Sequence, residues 1–91
     1  MLDINFSRQA EKFLRKVHPK HAKQIAGKVM ALREDPGPPD SLRLKGAASD
    51  YRRADIGEYR VVYRVNAGTL EVLVVGKRND DEVYKKIKRR L

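Results

Sequence analysis

The sequence contains no cysteine and no long apolar run. The missing cysteine excludes disulfide bonds, a thiol nucleophile and thiolate metal ligands, and it fits a reducing compartment. No apolar run approaches the roughly 20 residues of a membrane-spanning helix. Residues 1–4 also lack the basic-then-apolar pattern that begins a secretion signal. We therefore expect a cytoplasmic protein that does not associate with a membrane.

Acidic residues are scarce relative to basic ones. The chain has 12 Asp and Glu against 21 Lys and Arg, a net charge of +9, which exceeds what solubility needs. Nucleic acid is the first candidate partner, because clustered Lys and Arg release condensed counterions from a phosphate backbone. An anionic membrane or an acidic protein is the second. The chain is 41% hydrophobic, and its 91 residues suit one domain over residues 1–91.

The first half of the chain predicts a strand followed by a helical hairpin. Residues 2–6 alternate apolar and polar side chains, as in a strand with one buried face. Ser7 then offers an N-cap to a helix. Apolar residues recur at helical spacing over residues 10–17 and again over residues 22–32. His18-Pro19 interrupts the first helix, and Pro19 suits the first turn of the second. The proline-rich residues 36–39 must end the second helix, because proline lacks the amide hydrogen that a helix interior uses.

The second half predicts a three-stranded meander that follows a connector. Residues 40–50 contain two leucines and a Lys-Gly turn, and we expect this connector to dip into the core. Residues 52–56 form a weak predicted strand. In residues 58–65 the side chains alternate, so that Arg60 lies on the strand face opposite the two tyrosines.

The meander closes with a hairpin turn and a strongly aliphatic strand. Asn66-Ala67-Gly68-Thr69 has the residues of a hairpin turn, and residues 70–75 predict a central strand covered on both faces. Negative charge at the start and positive charge at the end of residues 80–91 favour a final helix. The elements predict an α+β fold: an N-terminal strand and helical hairpin packed on a small, mainly antiparallel sheet, with a C-terminal helix.

Three short motifs follow one another in the chain: Leu44-Lys45-Gly46, Gly57-Glu58-Tyr59-Arg60-Val61-Val62-Tyr63, and Val75-Gly76-Lys77-Arg78 followed by Glu82-Val83-Tyr84. In this order they resemble the RelE/ParE superfamily of toxins from toxin-antitoxin pairs, and most closely its RelE-type mRNA interferases. The resemblance implies a RelE-like fold and a ribosome-dependent endoribonuclease that cuts mRNA in the ribosomal A site. It also implies a RelB-like antitoxin that holds the enzyme inactive.

The resemblance also implies which residues act. Catalytic roles fall on Arg53, Arg60, Arg78 and Tyr84, and RNA contacts fall on Lys45, Arg52 and Lys77. The family commonly has two basic residues two positions apart where this chain has Arg53 and Asp55. Arg52 is therefore an alternative to Arg53 as the residue that matches the family's basic position. The identity of the general base is left open.

The chemistry of RNA cleavage agrees with these residue types. RNA carries its own nucleophile, the 2′-hydroxyl, so the enzyme must move two protons and stabilise the extra charge of the phosphorane. This requires neither a metal nor another cofactor. Arginine stays protonated and cannot act as the base, but its planar fork matches two phosphoryl oxygens. Tyr84, with an ordinary pKa of about 10, acts more easily as an acid than as a base.

Other interpretations of the same residues remain. A ParE-like toxin would inhibit DNA gyrase by binding alone, and a plain RNA-binding module would need only the basic residues. Tyr51 or Tyr84 could stack on an unpaired base. His18 and His21 lie close together at a helix junction but lack a third metal ligand, so we expect surface residues there.

Overall fold

The computed structural model describes residues 1–45 and 50–78. In this part of the chain, two helices and five strands follow one another. They are β1 (Asp3–Phe6), α1 (Arg8–Lys16), α2 (Pro19–Glu34), β2 (Ser41–Arg43), β3 (Arg52–Ile56), β4 (Tyr59–Asn66) and β5 (Thr69–Lys77). The expected C-terminal helix with Tyr84, and Gly46 of the expected turn, lie outside the described residues. No helix in the described part is long and apolar enough to cross a membrane.

Local capping explains where the helical hairpin begins and bends. Ser7 caps α1, since its Oγ accepts a hydrogen bond from the amide of Ala10 at 3.1 Å. At the junction, Nδ1 of His18 accepts from the amide of Lys20, and Pro19 is the first residue of α2, where its missing amide hydrogen is harmless. The expected boundaries of both helices are confirmed.

The five strands form one sheet in the order β1-β5-β4-β3-β2. β1 pairs with β5 in parallel, and the other neighbours are antiparallel. The turn between β4 and β5 has positive φ angles at Ala67 (51°) and Gly68 (78°), which matches the twist of a tight hairpin. The predicted meander is therefore present. β4, rather than the more aliphatic β5, is the middle strand.

The connector differs from its prediction. Instead of only dipping into the core, it forms β2, an edge strand that pairs with β3. Ser41 is its buried residue, at 4% exposure, whereas Leu42 is 54% exposed. Three residues are too few to display a strand periodicity, so pairing with β3 decides their structure.

The main core lies between the helices and one face of the sheet. Its buried helical side chains are Ala10, Ile25, Val29 and Leu32, and the facing sheet residues are Ala54, Tyr59, Val61, Tyr63, Leu70, Val72 and Val75. A smaller cluster on the other face contains Tyr51, Val62 and Val74. Both faces of β4 and β5 are therefore buried in part, which explains their long apolar runs.

Candidate functional site

An ionic cluster lies at one end of the sheet, on the face opposite the helices. Ala54 of β3 and Val61 of β4 point into the main core, so alternation turns Arg53, Asp55 and Arg60 to the other face. The antiparallel register puts Asp55 directly opposite Arg60. Residues directly opposite each other in neighbouring strands are close enough to interact.

Asp55 and Arg60 form an ion pair. Nε of Arg60 donates to Oδ1 of Asp55 at 2.7 Å, and Nη2 approaches Oδ2 at a longer 3.4 Å. The Arg60 side chain is only 12% exposed and that of Asp55 is 38% exposed. The pair is therefore held at the rim of the sheet, with the carboxylate still reached by water.

Two further arginines act on the same carboxylate. The hydrogen bond from Arg60 lowers the pKa of Asp55 below its ordinary value, and the charges of Arg60, Arg53 and Arg78 lower it further. Partial burial opposes them by raising that pKa. The Arg78 amide donates to the carbonyl of Glu58 at 2.9 Å, which fixes the end of β5 beside the β3–β4 turn. Three positive charges therefore act on one carboxylate.

The structure does not bring all the predicted site residues together. Arg53 lies two residues before Asp55 on the same strand face, Arg60 binds Asp55, and the Arg78 backbone is held beside the β3–β4 turn. Arg52 points to the opposite face, where its Nε donates to Oγ of Ser41 at 3.1 Å. The exposed Lys45 and Lys77 lie just after β2 and at the end of β5, and Tyr84 is outside the described residues.

The pairing of Asp55 with Arg60 was not predicted from the sequence, where Asp55 is only a departure from a family pattern. It could have been found, because Gly57 and Glu58 form a two-residue turn between β3 and β4. A turn of that length puts the residues at equal distances on either side opposite each other. Asp55 and Arg60 meet this condition.

Two minor expectations were wrong. Tyr51 is only 7% exposed, and the guanidinium of Arg64 lies over its ring at 5.2 Å, so this ring has no open face for a base. His21 is half-buried rather than a surface residue: its ring lies 5.3 Å from that of Tyr59, and its buried Nδ1 has no hydrogen-bond partner. Within residues 1–45 and 50–78, no three acidic or histidine side chains are placed to hold a metal ion.

The sequence matches, over residues 4–82, the family described as the ParE toxin of the type II toxin-antitoxin system parDE. No protein with a curated description matches it significantly. The fold is similar to that of the isolated RelE toxin of E. coli, with a TM-score of 0.75, 28% identity and 100% of each chain covered.

Two toxin-antitoxin complexes contain chains of similar fold. A chain of the archaeal RelE-RelB complex from Pyrococcus horikoshii has a TM-score of 0.73 and 26% identity, with 85% of this chain and 94% of that chain covered. A chain of the YoeB-YefM complex from Staphylococcus aureus has a TM-score of 0.69 and 24% identity, with 86% and 98% covered. These likenesses confirm the predicted α+β, RelE-like fold. The match over most of its length identifies the protein as a member of the ParE toxin family, and so of the RelE/ParE superfamily of type II toxins.

Proposed function

We propose that this toxin is an endoribonuclease that cleaves mRNA in the ribosomal A site without a metal ion. The observation that carries the proposal is that three arginines from three neighbouring elements, Arg53, Arg60 and Arg78, lie at the same end of the sheet as one carboxylate, which Arg60 binds directly. A carboxylate and a phosphoryl group present similar pairs of oxygens to a guanidinium fork. An arginine cluster that binds a carboxylate is therefore suited to bind a phosphoryl group.

In the proposed reaction, a general base takes the proton of the 2′-hydroxyl and the 2′-oxygen attacks the adjacent phosphorus. The bond to the 5′-oxygen breaks, and a 2′,3′-cyclic phosphate and a free 5′-hydroxyl form. The phosphorane between these events carries one more negative charge than the substrate. Arg53, Arg60 and Arg78 would stabilise that charge, because preorganised donors act most strongly where charge develops. Tyr84 would give a proton to the leaving 5′-oxygen, consistent with its ordinary pKa of about 10.

The proposal includes a small antitoxin as the natural inhibitor. Both the Pyrococcus horikoshii and the Staphylococcus aureus relatives were solved as toxin-antitoxin complexes. A net charge of +9 favours an antitoxin that brings an acidic segment to this surface. Binding there would exclude RNA by competing for the same arginines.

A second candidate function is inhibition of DNA gyrase by binding, as in ParE-like toxins. The matched family carries the ParE name, and Asp55 neutralises part of the charge that a nuclease would use. The two functions differ in the need for proton transfer. A binding inhibitor keeps its activity when Tyr84 is changed to Phe, whereas a nuclease that uses Tyr84 as its acid loses activity.

The test is cleavage of a defined message on purified ribosomes, mapped by primer extension. Cuts confined to the A-site codon and absent without ribosomes support the nuclease. Arg60→Ala and Arg78→Ala should each cleave roughly a hundredfold more slowly, since one stabilising donor is worth about 3 to 4 kcal/mol. Arg15→Ala is the matched control, because Arg15 is an exposed arginine of α1 whose side chain pairs with Glu11.

An intact message with the folded wild-type toxin contradicts the nuclease. A supercoiling assay with purified gyrase then tests the second candidate. Inhibition that survives Tyr84→Phe would establish action by binding, while unaffected supercoiling would exclude gyrase as the target. Tyr84→Phe cleavage at the wild-type rate on ribosomes would leave the nuclease in place but remove Tyr84 as its acid.

A further inference from the structure

A notch opens where β3 begins. β3 pairs with β4 only from Arg52 onward, opposite Tyr63, so the last three residues of β4 extend past it. The opening has a volume of about 300 Å³. Its walls are formed by Arg43, Asp50, Arg52, Arg64, Val65 and Asn66. Half of these residues are arginines from three different strands, so the notch is a strongly cationic opening.

Two of these arginines each donate one hydrogen bond within the protein, and in both the donor is Nε. Nε of Arg64 donates to Oε1 of Glu71 at 2.6 Å, and its guanidinium lies over the Tyr51 ring. Nε of Arg52 donates to Oγ of Ser41 at 3.1 Å. A guanidinium has four more N–H donors on its Nη atoms. Both side chains are therefore oriented by contacts that leave the Nη donors for a ligand.

The third arginine makes the charge arrangement unfavourable without an anion. Arg43 of β2 pairs directly across from Arg52 of β3, and like charges at such positions destabilise a sheet. Glu71 pairs with Arg64, but within residues 1–45 and 50–78 neither Arg43 nor Arg52 forms an ion pair. Asp50 is the one carboxylate among the lining residues. An anion bound between Arg43 and Arg52 would relieve their repulsion.

We propose that this notch is a second phosphate-binding site, which holds a backbone phosphate of single-stranded RNA. The choice of RNA rests on the proposed function. Arg64 lies over Tyr51, on the same sheet face as the Arg53, Arg60 and Arg78 cluster. With a rise of about 3.3 Å per residue, it is roughly 13 Å along β4 from Arg60. Arg43 and Arg52 lie on the other face, so an RNA strand that leaves the cluster would pass Arg64 and bend around the end of the sheet to place a second phosphate between them. The notch would fix the position of the strand without reading its sequence, since phosphate contacts position and base contacts specify.

The test is an NMR titration of amide signals with a short RNA carrying 2′-O-methyl groups, which has no nucleophile and cannot be cut. Wild-type protein should show shifts at Asn66 and Asp50 in the notch and at Asp55 and Gly57 near the cluster. Arg43→Gln combined with Arg52→Gln should abolish the notch shifts and leave the cluster shifts. The slope of log affinity against log salt should fall by about 0.7, because one phosphate contact is lost.

Two further variants keep this test decisive. Arg43→Gln alone alters an exposed residue whose side chain forms no hydrogen bond or ion pair within residues 1–45 and 50–78. It should weaken the notch shifts and lower the salt slope by up to about 0.7, even if the double variant folds poorly. Arg8→Gln combined with Arg15→Gln removes the same charge from exposed positions of α1 and should leave the notch shifts unchanged.

Three outcomes overturn the inference. They are no notch shifts with RNA, notch shifts that survive the Arg43 and Arg52 changes, and notch shifts that only a polyglutamate peptide produces. The last would assign the notch to an acidic protein. Because the RNA cannot be cut, binding at the notch with no cleavage on ribosomes refutes the nuclease alone. Cleavage without notch shifts refutes the second site alone.

Discussion

At the scale of single residues, Asp55 decides the charge of the candidate site. Without it, the cluster of Arg53, Arg60 and Arg78 would carry three positive charges with no anion at its centre. With it, Arg60 holds a carboxylate at 2.7 Å, a contact that the proposed function gives to a phosphoryl group. Under that proposal, a phosphate would have to share Arg60 with Asp55 or displace Asp55, so Asp55 would weaken anion binding.

Replacing Asp55 by Asn should strengthen RNA binding. The change removes the competing anion, and partly exposed ion pairs are worth roughly 0.2 to 1 kcal/mol, so we expect up to about fivefold tighter binding. Fluorescence anisotropy with the uncleavable RNA measures it. Glu58→Gln is the matched control, since it removes an exposed negative charge from the neighbouring turn. Weaker binding by Asp55→Asn would show instead that the carboxylate orients Arg60 for the ligand.

The same ion pair predicts how stability depends on pH. Because the hydrogen bond from Arg60 lowers the pKa of folded Asp55, the pair stabilises the fold above the ordinary Asp pKa of about 3.9. That contribution is lost as the pH falls through the lowered value. Urea unfolding should therefore show wild type more stable than Asp55→Asn at about pH 7, with the difference disappearing by about pH 2. A difference that stays constant would mean that the pair contributes nothing.

At the scale of elements, the turn between β3 and β4 positions the cluster. Gly57 has a φ of +57°, in the left-handed region that residues with a side chain rarely adopt. This conformation reverses the chain in two residues and so puts Asp55 opposite Arg60. A Cβ at Gly57 would also come within 3.0 Å of Nε2 of Gln24, although that flexible side chain can move.

Gly57→Ala should lower the free energy of unfolding by roughly 1 to 2 kcal/mol, the cost of a left-handed residue with a Cβ. Gly27→Ala is the matched control. Gly27 lies inside α2 with nothing within 4 Å of an added Cβ, so alanine there should stabilise the protein by up to about 1 kcal/mol. Both changes are measured by urea unfolding. Equal effects of the two substitutions would mean that the turn conformation is not strained for alanine.

At the scale of the whole molecule, the helices and the sheet are joined by a small number of polar contacts across the core. The hydroxyl of the fully buried Tyr63 donates to the carbonyl of Pro36 at 2.6 Å, which ties β4 to the chain that follows α2. Gln9 joins α1 to β5 through two hydrogen bonds with the backbone of Val75. These contacts hold the helical layer in one orientation over the apolar face of the sheet.

Tyr63→Phe should therefore destabilise the whole domain by about 1 to 2 kcal/mol, because it leaves the Pro36 carbonyl without its donor. Tyr59→Phe is the control. Tyr59 is a buried tyrosine of the same strand face, but no hydrogen bond to its hydroxyl is seen within residues 1–45 and 50–78. Thermal unfolding at matched protein concentration compares the two. A Tyr59 variant that loses as much stability would show that the phenolic group itself, and not its bond to Pro36, is needed.

Much of the fold could be predicted because its signals are local. Ser7, His18-Pro19 and the Asn66–Thr69 turn act on neighbouring backbone groups, and alternation along β4 separates Arg60 from the buried tyrosines. β2 could not be predicted, since three residues carry no usable period and their partner is distant in sequence. Interactions between neighbouring residues could therefore be predicted from the sequence, whereas pairing between distant segments could not.

The helical hairpin and the meander follow from caps, turn residues and side-chain periods, which act within a few residues of each other. The excess of positive charge follows from the composition. How the arginines are distributed between the cluster and the notch depends on the tertiary structure. Strand register put Arg53 and Arg60 around Asp55, and sent Arg52 to the notch beside Arg43 and Arg64. A shift of one residue in a strand exchanges its two faces. Which cations share a site is therefore decided by pairing between strands.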